Sequence, residues 1–388
     1  MIHVNLFLIF AVFALWFLLS VWKPELRNRK VSLAVLLGLL VILVVDFKAG
    51  VDTGSYIWLY KSILRNEIDY RNMGYVYLIR TVQMLTDRYW VSVLAVNLVC
   101  ISLCFHAVIR NSRNYLLSFF LFFASGYFLI YYSSGVRQML AAAVFLFAYY
   151  EYLPKKKYLP YFICCLLSVS FHESGIVTFV IPLLYVVVKA YRKNARMTIG
   201  GLAAAVGLGF VVVSFVARWI LKEFMAINVV AHFAMYLENA AISITGLGME
   251  TVWFGVAFGL YLLSEKDKRT DWDLFQIFTW AFAFAVYLVM VKFPQVSRLC
   301  DFIQIIMLVS LPNWHEMIPD RKKKAAALVP LLGLNFILLY GDMAFVLPKI
   351  KKNYPALNAS VTEYPYIFIF DEPIIRECYG SYMRGLDE

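Results

Sequence analysis

Charged residues are scarce in this chain. Asp, Glu, Lys and Arg make up 16% of its 388 residues, against about 25% in soluble domains. Hydrophobic residues make up 62%, whereas soluble domains contain about 45–50%. This composition excludes a soluble enzyme, a disulfide-stabilised scaffold and a disordered chain. Because the apolar residues form long runs and not short alternating strands, the sequence predicts an all-α polytopic membrane protein.

A disulfide or metal-binding cysteine pattern and the common catalytic motifs are also lacking. The six cysteines show neither a disulfide framework nor the spacing of metal ligands, since Cys100 and Cys104 are one helical turn apart and Cys164 and Cys165 are adjacent. The sequence contains no Walker loop, GxGxxG, HExxH or GxSxG. We therefore expect no metal and no cofactor, and neither nucleotide hydrolysis nor serine or zinc hydrolysis has sequence support.

Apolar runs recur along the whole chain and predict about twelve transmembrane helices, since about twenty residues span a bilayer. The first run has no basic leader and no small-residue cleavage site, so we predict a retained helix. Several runs are short, which is typical of helices that bring polar groups to a cavity within the membrane. The predicted helices lie near residues 2–22, 31–47, 90–109, 115–132, 137–153, 157–172, 174–190, 197–221, 248–264, 273–292, 298–313 and 325–342.

The basic residues show which side of the membrane each connection faces. The chain has 36 Lys and Arg against 25 Asp and Glu. Of these basic residues, 20 lie in six alternate short connections, which the positive-inside rule places in the cytoplasm. We interpret the excess of basic over acidic residues as a signal of membrane topology, and we expect no nucleic-acid partner. Both termini are then predicted outside. The six connections are 23–30, 110–114, 154–157, 189–196, 265–271 and 313–324.

The predicted external side holds the segments 48–89 and 222–247 and the tail. Segment 48–89 contains DTGSYIWLYKSI, with Tyr56, Ile57, Tyr60 and Ile63 at helical spacing, and then NMGYVYLIRTVQML. Both stretches predict interfacial helices. We expect a transmembrane domain over 1–342 and an irregular, proline-containing external cap over 343–388.

Polar candidates for chemistry lie at the predicted outer ends of helices that are distant in sequence. Arg137 begins the fifth helix within YYSSGVRQML, and Arg298 begins the eleventh. His172 lies between the sixth and seventh helices, next to Glu173, and Asp52 follows the second helix. The topology alone therefore places Arg137, Arg298, His172 and Asp52 at one level of the membrane.

Each candidate also has a structural alternative. An arginine at a helix end can be a snorkelling anchor, which is the alternative for Arg137. Arg298 lies one turn before Asp301 and could form an ion pair with it. His172 could be a packing histidine with its hydrogen bonds satisfied. Asp52 could cap the helix that follows it.

Four stretches between residues 45 and 190 resemble a known family. In order, they are DTGSYIWLY, NMGYVYLI, GVRQMLAAAVFLFA and KKKYLPYFICCLLSVSFHESGIV. Together they are similar to EpsG-like proteins, which belong with the Wzy-type polymerases of bacterial exopolysaccharide, capsule and O-antigen synthesis. The most specific part is the helix that begins with Arg-Gln, followed 35 residues later by a helix that ends in Phe-His. Asn72 departs from the family, where an acidic residue before the glycine is more typical, and this argues against acid or metal chemistry in that loop.

The resemblance implies a membrane glycosyltransferase with a fold similar to the GT-C type. Its activity would be polymerisation of undecaprenyl-diphosphate-linked oligosaccharide repeats at the outer face of the bacterial cytoplasmic membrane, with release of lipid diphosphate. Its partners would be that lipid-linked substrate, membrane lipid and a chain-length regulator. The residues assigned to catalysis are His172, Asp52 and Glu173. The residues assigned to substrate binding are Arg137, Arg298, Tyr56, Tyr236 and Arg80. For Arg80, a structural role is the alternative.

Two other functions would fit the same composition. A flippase for lipid-linked oligosaccharides would need cavities open to both faces and usually has repeated halves, and no internal repeat is visible here. An O-antigen ligase shares the donor and differs in the acceptor. A large external loop late in the chain would favour the ligase, and this chain has only modest loops.

Overall fold

A computed structural model describes residues 29–47, 50–67, 72–125, 135–223, 244–290 and 297–353, together with 369, 375–376 and 378–379. These residues form helices joined by turns, and no strand occurs among them. The predicted all-α class is therefore confirmed. The first predicted helix, near 2–22, lies outside the described residues.

The described residues divide into two compact units. The first contains the residues up to Glu173 and those from Leu332 onward. Its helices are α1 (Arg29–Val44), α2 (Thr53–Leu64), α3 (Met73–Gln83), α4 (Tyr89–Asn111), α5 (Tyr115–Ala124), α6 (Val136–Glu151) and α7 (Tyr158–Phe171).

The second unit runs from Ser174 to Leu331. A 3-10 helix over Glu173–Leu183 leads into it. The α-helices that follow are α8 (Leu184–Lys193), α9 (Ala195–Glu223), α10 (Ile244–Leu263), α11 (Asp271–Met290), α12 (Ser297–Gln304), α13 (Met307–Glu316) and α14 (Arg321–Asn353), whose residues from Leu332 belong to the first unit.

Four stretches of the described chain are long and apolar enough to cross a membrane. They are α4, the continuous pair Glu173–Lys193, most of α11, and α14. Shorter apolar helices accompany them, among them α7 and the part of α10 over Glu250–Leu263. These helices are those of a membrane protein, whereas the count of twelve spans and the GT-C type stay predictions.

Two predicted spans differ from single α-helices. The span predicted over 174–190 begins as a 3-10 helix and contains Pro182. Because proline has no backbone N–H to donate, it interrupts the ordinary helical ladder. The span predicted over 298–313 is wrong as one helix, since a turn at residues 305–306 separates α12 from α13.

Helix α6 forms the centre of the first unit. Its residues Leu140, Ala141, Ala143, Leu146 and Tyr149 have no exposed surface. Helices α4 and α7 pack on it, and the run of alanines lets α7 approach so closely that Ser168 Oγ donates a hydrogen bond to the Ala141 carbonyl at 3.0 Å. Arg137 therefore lies on the first turn of a helix that is buried in the core of the first unit.

The end of α1 is held by one buried side chain of α4. The Asn97 amide nitrogen donates to the carbonyls of Leu43, Val44 and Asp46 at 3.3, 3.0 and 2.8 Å. These carbonyls lie at the end of the helix, where side chains commonly supply donors to backbone C=O groups, and the Leu43 carbonyl also accepts from the Asp46 N–H at 3.3 Å. Asn97 therefore sets the point at which the chain leaves α1 toward the segment that contains Asp52.

We expect Asn97→Leu to destabilise the protein measurably, because it removes three hydrogen bonds to buried carbonyls. Each lost hydrogen bond costs about 0.5–1.5 kcal/mol. The measurement is the midpoint of thermal unfolding in detergent. Asn111→Leu is the matched control, since Asn111 is less buried and donates to Ala107 of its own helix. Equal midpoints for the two variants would contradict this account of Asn97.

The C-terminal segment begins later than predicted. The irregular cap was expected from residue 343, but α14 continues to Asn353 and includes Pro348, and prolines are tolerated in membrane helices whose neighbours satisfy the freed backbone groups. Beyond it, Ile369 N–H donates to the Val45 carbonyl at 2.9 Å, and the Tyr379 ring lies 5.6 Å from that of Phe47. The described parts of the tail thus pack against the segment that follows α1. Its location outside the membrane stays a prediction.

Candidate functional site

Helix α2 begins where the sequence predicted, but a different residue fixes its start. Thr53 Oγ1 accepts a hydrogen bond from the Gly50 N–H at 2.9 Å and donates to the Gly50 carbonyl at 3.0 Å. Asp52 occupies the N-cap position and makes no side-chain capping bond, and it is exposed. The capping alternative for Asp52 is therefore wrong.

Helices α2 and α3 are short and pack together. At 1.5 Å per residue, the 12 residues of α2 extend only about 18 Å, well short of the bilayer core. Ile57, Tyr60 and Ile63, which the sequence predicted at helical spacing, are buried. Arg80 Nη2 donates to Asn66 Oδ1 at 2.8 Å. The structure thus gives Arg80 a partner at the end of α2.

The start of α3 lies unusually close to α7. A Cβ atom added to Gly74 would lie 2.1 Å from Ser170 Oγ and 3.0 Å from the Ser170 backbone carbon. Only glycine fits this approach without displacement of a neighbour. The contact places the residue before α3, Asn72, beside the end of α7.

We expect Gly74→Ala to lower the unfolding midpoint and to reduce any activity that depends on Asn72, because α3 must move away from α7. Ser170→Gly should restore part of the loss in the double variant, since it removes the two closest atoms. Gly38→Ala is the control, because nothing lies within 4 Å of its added Cβ. The measurement is the midpoint of thermal unfolding in detergent for the wild type, Gly74→Ala, the double variant and Gly38→Ala. A Gly74→Ala protein as stable as Gly38→Ala would refute the close contact.

Arg137 lies on the first turn of α6 and packs on Tyr56 of α2. Its backbone N–H donates to the Tyr56 hydroxyl at 3.4 Å, and its guanidinium carbon is 5.9 Å from the centre of the Tyr56 ring. Its Nε atom is buried and has no hydrogen-bond partner in the described ranges of the chain. A positive group with an unused donor at a helix N-terminus is suited to an anion.

Asn72 joins Arg137 to the end of α7. Its backbone is left-handed, with φ 56° and ψ 46°. Only one orientation of the Asn72 side-chain amide gives hydrogen-bond partners to both its oxygen and its nitrogen. In it, the oxygen accepts from Arg137 Nη1 at 2.7 Å, and the nitrogen donates to Glu173 Oε2 and to the Phe171 carbonyl, each at 3.2 Å. A neutral amide therefore separates a guanidinium from a carboxylate.

A small aromatic pocket adjoins Arg137. It has a volume of about 20 Å³ and is lined by Thr53, Tyr56, Tyr75 and Tyr89 with three valines, so it has room for about one water molecule. Burial raises the pKa of the Tyr56 phenol; the nearby positive charge of Arg137 opposes this rise and the negative charge of Asp52 adds to it. Burial also raises the pKa of Tyr75. Both phenols stay protonated at neutral pH and can donate hydrogen bonds.

His172 ends α7 in an extended conformation. Its backbone N–H donates to the Ser168 carbonyl at 3.0 Å, and φ and ψ are −157° and 134°. The next residue, Glu173, begins the 3-10 helix with an exposed side chain. Its carboxylate is held by Asn72. The role of Glu173 in tuning the His172 imidazole stays a prediction.

The structure brings five of the eight predicted site residues into one region of the first unit. The Tyr56 N–H donates to the Asp52 carbonyl at 3.1 Å, and Tyr56 contacts Arg137. Asn72 links Arg137 to Glu173, which follows His172 in the chain. The others are not joined to this cluster. Arg80 has its partner elsewhere, Arg298 lies on α12 in the second unit, and Tyr236 lies outside the described residues.

Sequence reasoning missed three polar groups. Asn72 and Tyr75 contribute to the cluster around Arg137. The only sequence signal for Asn72 was its position in a polar turn before Met-Gly, since asparagine is favoured where φ is positive. In the second unit, Glu250 Oε2 accepts a hydrogen bond from Gln304 Nε2 at 2.5 Å. A single carboxylate within a long apolar helix gives no hydrophobic periodicity from which its contacts could be predicted.

Comparison with known proteins gives one match. The model of the EpsG family matches residues 31–366, a range that includes every predicted site residue. No curated protein and no solved structure matches the chain.

Proposed function

We propose, from the premise that this chain belongs to the EpsG family of polysaccharide polymerases, that it polymerises undecaprenyl-diphosphate-linked oligosaccharide repeats. The growing lipid-linked chain is the donor. The acceptor is a terminal sugar hydroxyl of an incoming lipid-linked repeat. The product is a longer lipid-linked chain, together with free lipid diphosphate.

The arrangement of Arg137 is the observation that supports this proposal most. Its guanidinium packs on Tyr56, and its buried Nε has no partner in the described part of the chain. A diphosphate requires fixed cationic donors, and the planar arginine fork binds phosphate oxygens in pairs, which lysine cannot do. The N-terminus of α6 adds a favourable dipole for the same anion.

The reaction forms one bond and breaks one. The acceptor hydroxyl oxygen attacks the anomeric carbon of the donor sugar, while the bond from that carbon to the diphosphate oxygen breaks and its electron pair stays on the diphosphate. The hydroxyl proton passes to a base, for which His172 and Asp52 are the candidates. Because the diphosphate is a good leaving group, the reaction needs no separate energy source.

The active site faces the exterior of the cytoplasmic membrane in this proposal, since the 20 basic residues of the short connections define the cytoplasmic side. In a protein without native cysteines, Lys157→Cys and Lys322→Cys should react only with a membrane-permeant maleimide in intact cells. Glu67→Cys, on the exposed turn after α2, should react with an impermeant maleimide as well. Impermeant labelling of Lys322→Cys would reverse the orientation.

The function is tested with purified protein in nanodiscs and a purified undecaprenyl-diphosphate oligosaccharide. We expect lipid-linked products of two or more repeats and one lipid diphosphate for each new linkage, measured by mass spectrometry. Arg137→Gln is the comparison variant, with an expected loss of about ten- to a hundredfold. A protein that moves the lipid across proteoliposomes and forms no new linkage would be a flippase, and transfer only to a different acceptor would indicate a ligase. Either result would overturn the proposal.

A further inference from the structure

We infer that Asn72 is a positioning residue that holds the guanidinium of Arg137 available for an anionic ligand by keeping it apart from Glu173. The amide contacts both charged groups at once. This inference concerns the geometry of Arg137 in the free protein. Its consequence for diphosphate binding rests on the proposed function.

The backbone of Asn72 is part of the device. A left-handed conformation with φ 56° is strained for most residues, and Asn and Gly are the residues that adopt it at least cost. In this conformation Asn72 precedes α3 and reaches the end of α7, where its nitrogen also contacts the Phe171 carbonyl. The close approach of Gly74 to Ser170 fixes the distance between α3 and α7. The position of the Asn72 amide is therefore set by its backbone as well as by its side-chain hydrogen bonds.

The electrostatic effect follows from the neutrality of the amide. A carboxylate in direct contact with Arg137 would form an ion pair, and the pair would have to break before the arginine could bind a diphosphate. Asn72 offers an oxygen to Nη1 of Arg137 and a nitrogen to Glu173, so both charges are hydrogen-bonded and neither neutralises the other. Nε is buried and lacks a partner among the described residues, so a ligand oxygen that reaches it would supply its hydrogen bond.

Two substitutions separate the backbone from the side chain. Asn72→Gly preserves the left-handed backbone and removes the amide. Asn72→Asp preserves an acceptor for Arg137, removes the donors to Glu173 and Phe171, and adds a negative charge between the two groups. Asn66→Gly is the matched control, because Asn66 is also an asparagine with positive φ, 59°, and its side chain contacts Arg80 instead.

The first measurement needs no substrate. Purified proteins in nanodiscs are treated with phenylglyoxal, and modification of Arg137 is followed by peptide mass spectrometry. Loss of the Nη1 hydrogen bond in Asn72→Gly should change the modification rate of Arg137 by about threefold or more, while Asn66→Gly should leave it at the wild-type rate. Thermal unfolding shows whether each protein is folded. Equal modification rates of Arg137 in folded wild type, Asn72→Gly and Asn72→Asp would overturn the positioning role.

The second measurement uses undecaprenyl diphosphate as the probe, with its dissociation constant determined in nanodiscs. We expect about three- to tenfold weaker binding for Asn72→Gly and a larger loss for Asn72→Asp, whose charge competes with the ligand for Arg137. In turnover assays the change should appear in KM more than in kcat. If Asn72→Gly alters Arg137 reactivity while the wild type does not bind the probe, the proposed function fails and the positioning role stands. Wild-type binding by both Asn72 variants would refute the link to the ligand.

Discussion

Replacement of Arg137 by alanine is expected to reduce polymerisation about ten- to a hundredfold or more, since the loss of a charge-assisted contact to a buried phosphate costs roughly 1.5–3 kcal/mol. Arg137→Lys should recover little of this loss, because lysine provides a point charge and not a planar fork. The assay is the rate of linkage formation from purified lipid-linked repeats, together with the polymer length in cells at equal expression.

Arg65→Ala is a suitable control for Arg137. Arg65 is exposed at the end of α2, so it has the same side chain in the same unit without the contacts to Tyr56 and Asn72. Wild-type rates for both Arg137→Ala and Arg137→Lys would return Arg137 to the role of a membrane anchor.

Arg298 enters the same test as a second predicted ligand of the diphosphate. Its helix, α12, belongs to the second unit, and Arg298 stays a prediction from the sequence. On the prediction from the sequence, Arg298→Ala should reduce turnover about ten- to a hundredfold. Wild-type turnover by Arg298→Ala would remove Arg298 from the predicted ligands.

Loss of the catalytic base is the second large effect that we expect, about a hundred- to ten-thousandfold in kcat. His172 is the first candidate, since a neutral imidazole is suited to proton abstraction near neutral pH. Asp52 is the second, since its side chain is exposed and makes no capping bond. The measurement is turnover by His172→Ala and Asp52→Asn proteins that still bind undecaprenyl diphosphate.

The two variants distinguish the candidates. A large loss in His172→Ala with little change in Asp52→Asn would identify the imidazole as the base. The reverse result would assign the base to Asp52 and leave His172 with its structural role at the end of α7. Glu173→Gln provides a further comparison, because it preserves an oxygen for the Asn72 amide and removes the charge beside His172. Full turnover by all three variants would exclude each of these groups as the base.

The amino-acid sequence by itself determined the class of the protein and the faces of its helices. Its apolar runs identify membrane helices because the bilayer requires internal satisfaction of every backbone group. The spacing of Ile57, Tyr60 and Ile63 predicted a helix with these residues on one face, since residues three or four apart share one side of a helix. Arg137 at the start of α6 was also predicted, because a polar SSG stretch precedes an uninterrupted apolar run.

Only the tertiary structure decided which polar groups meet. Asn72 is 65 residues from Arg137 and 101 from Glu173, and helical periodicity gives no information on contacts between segments so far apart. Their contact depends on the packing of α3 against α7 at Gly74 and on the left-handed backbone of Asn72. The break between α12 and α13 was likewise missed, because the turn at residues 305–306 consists of two isoleucines, and an apolar turn gives no break in hydropathy.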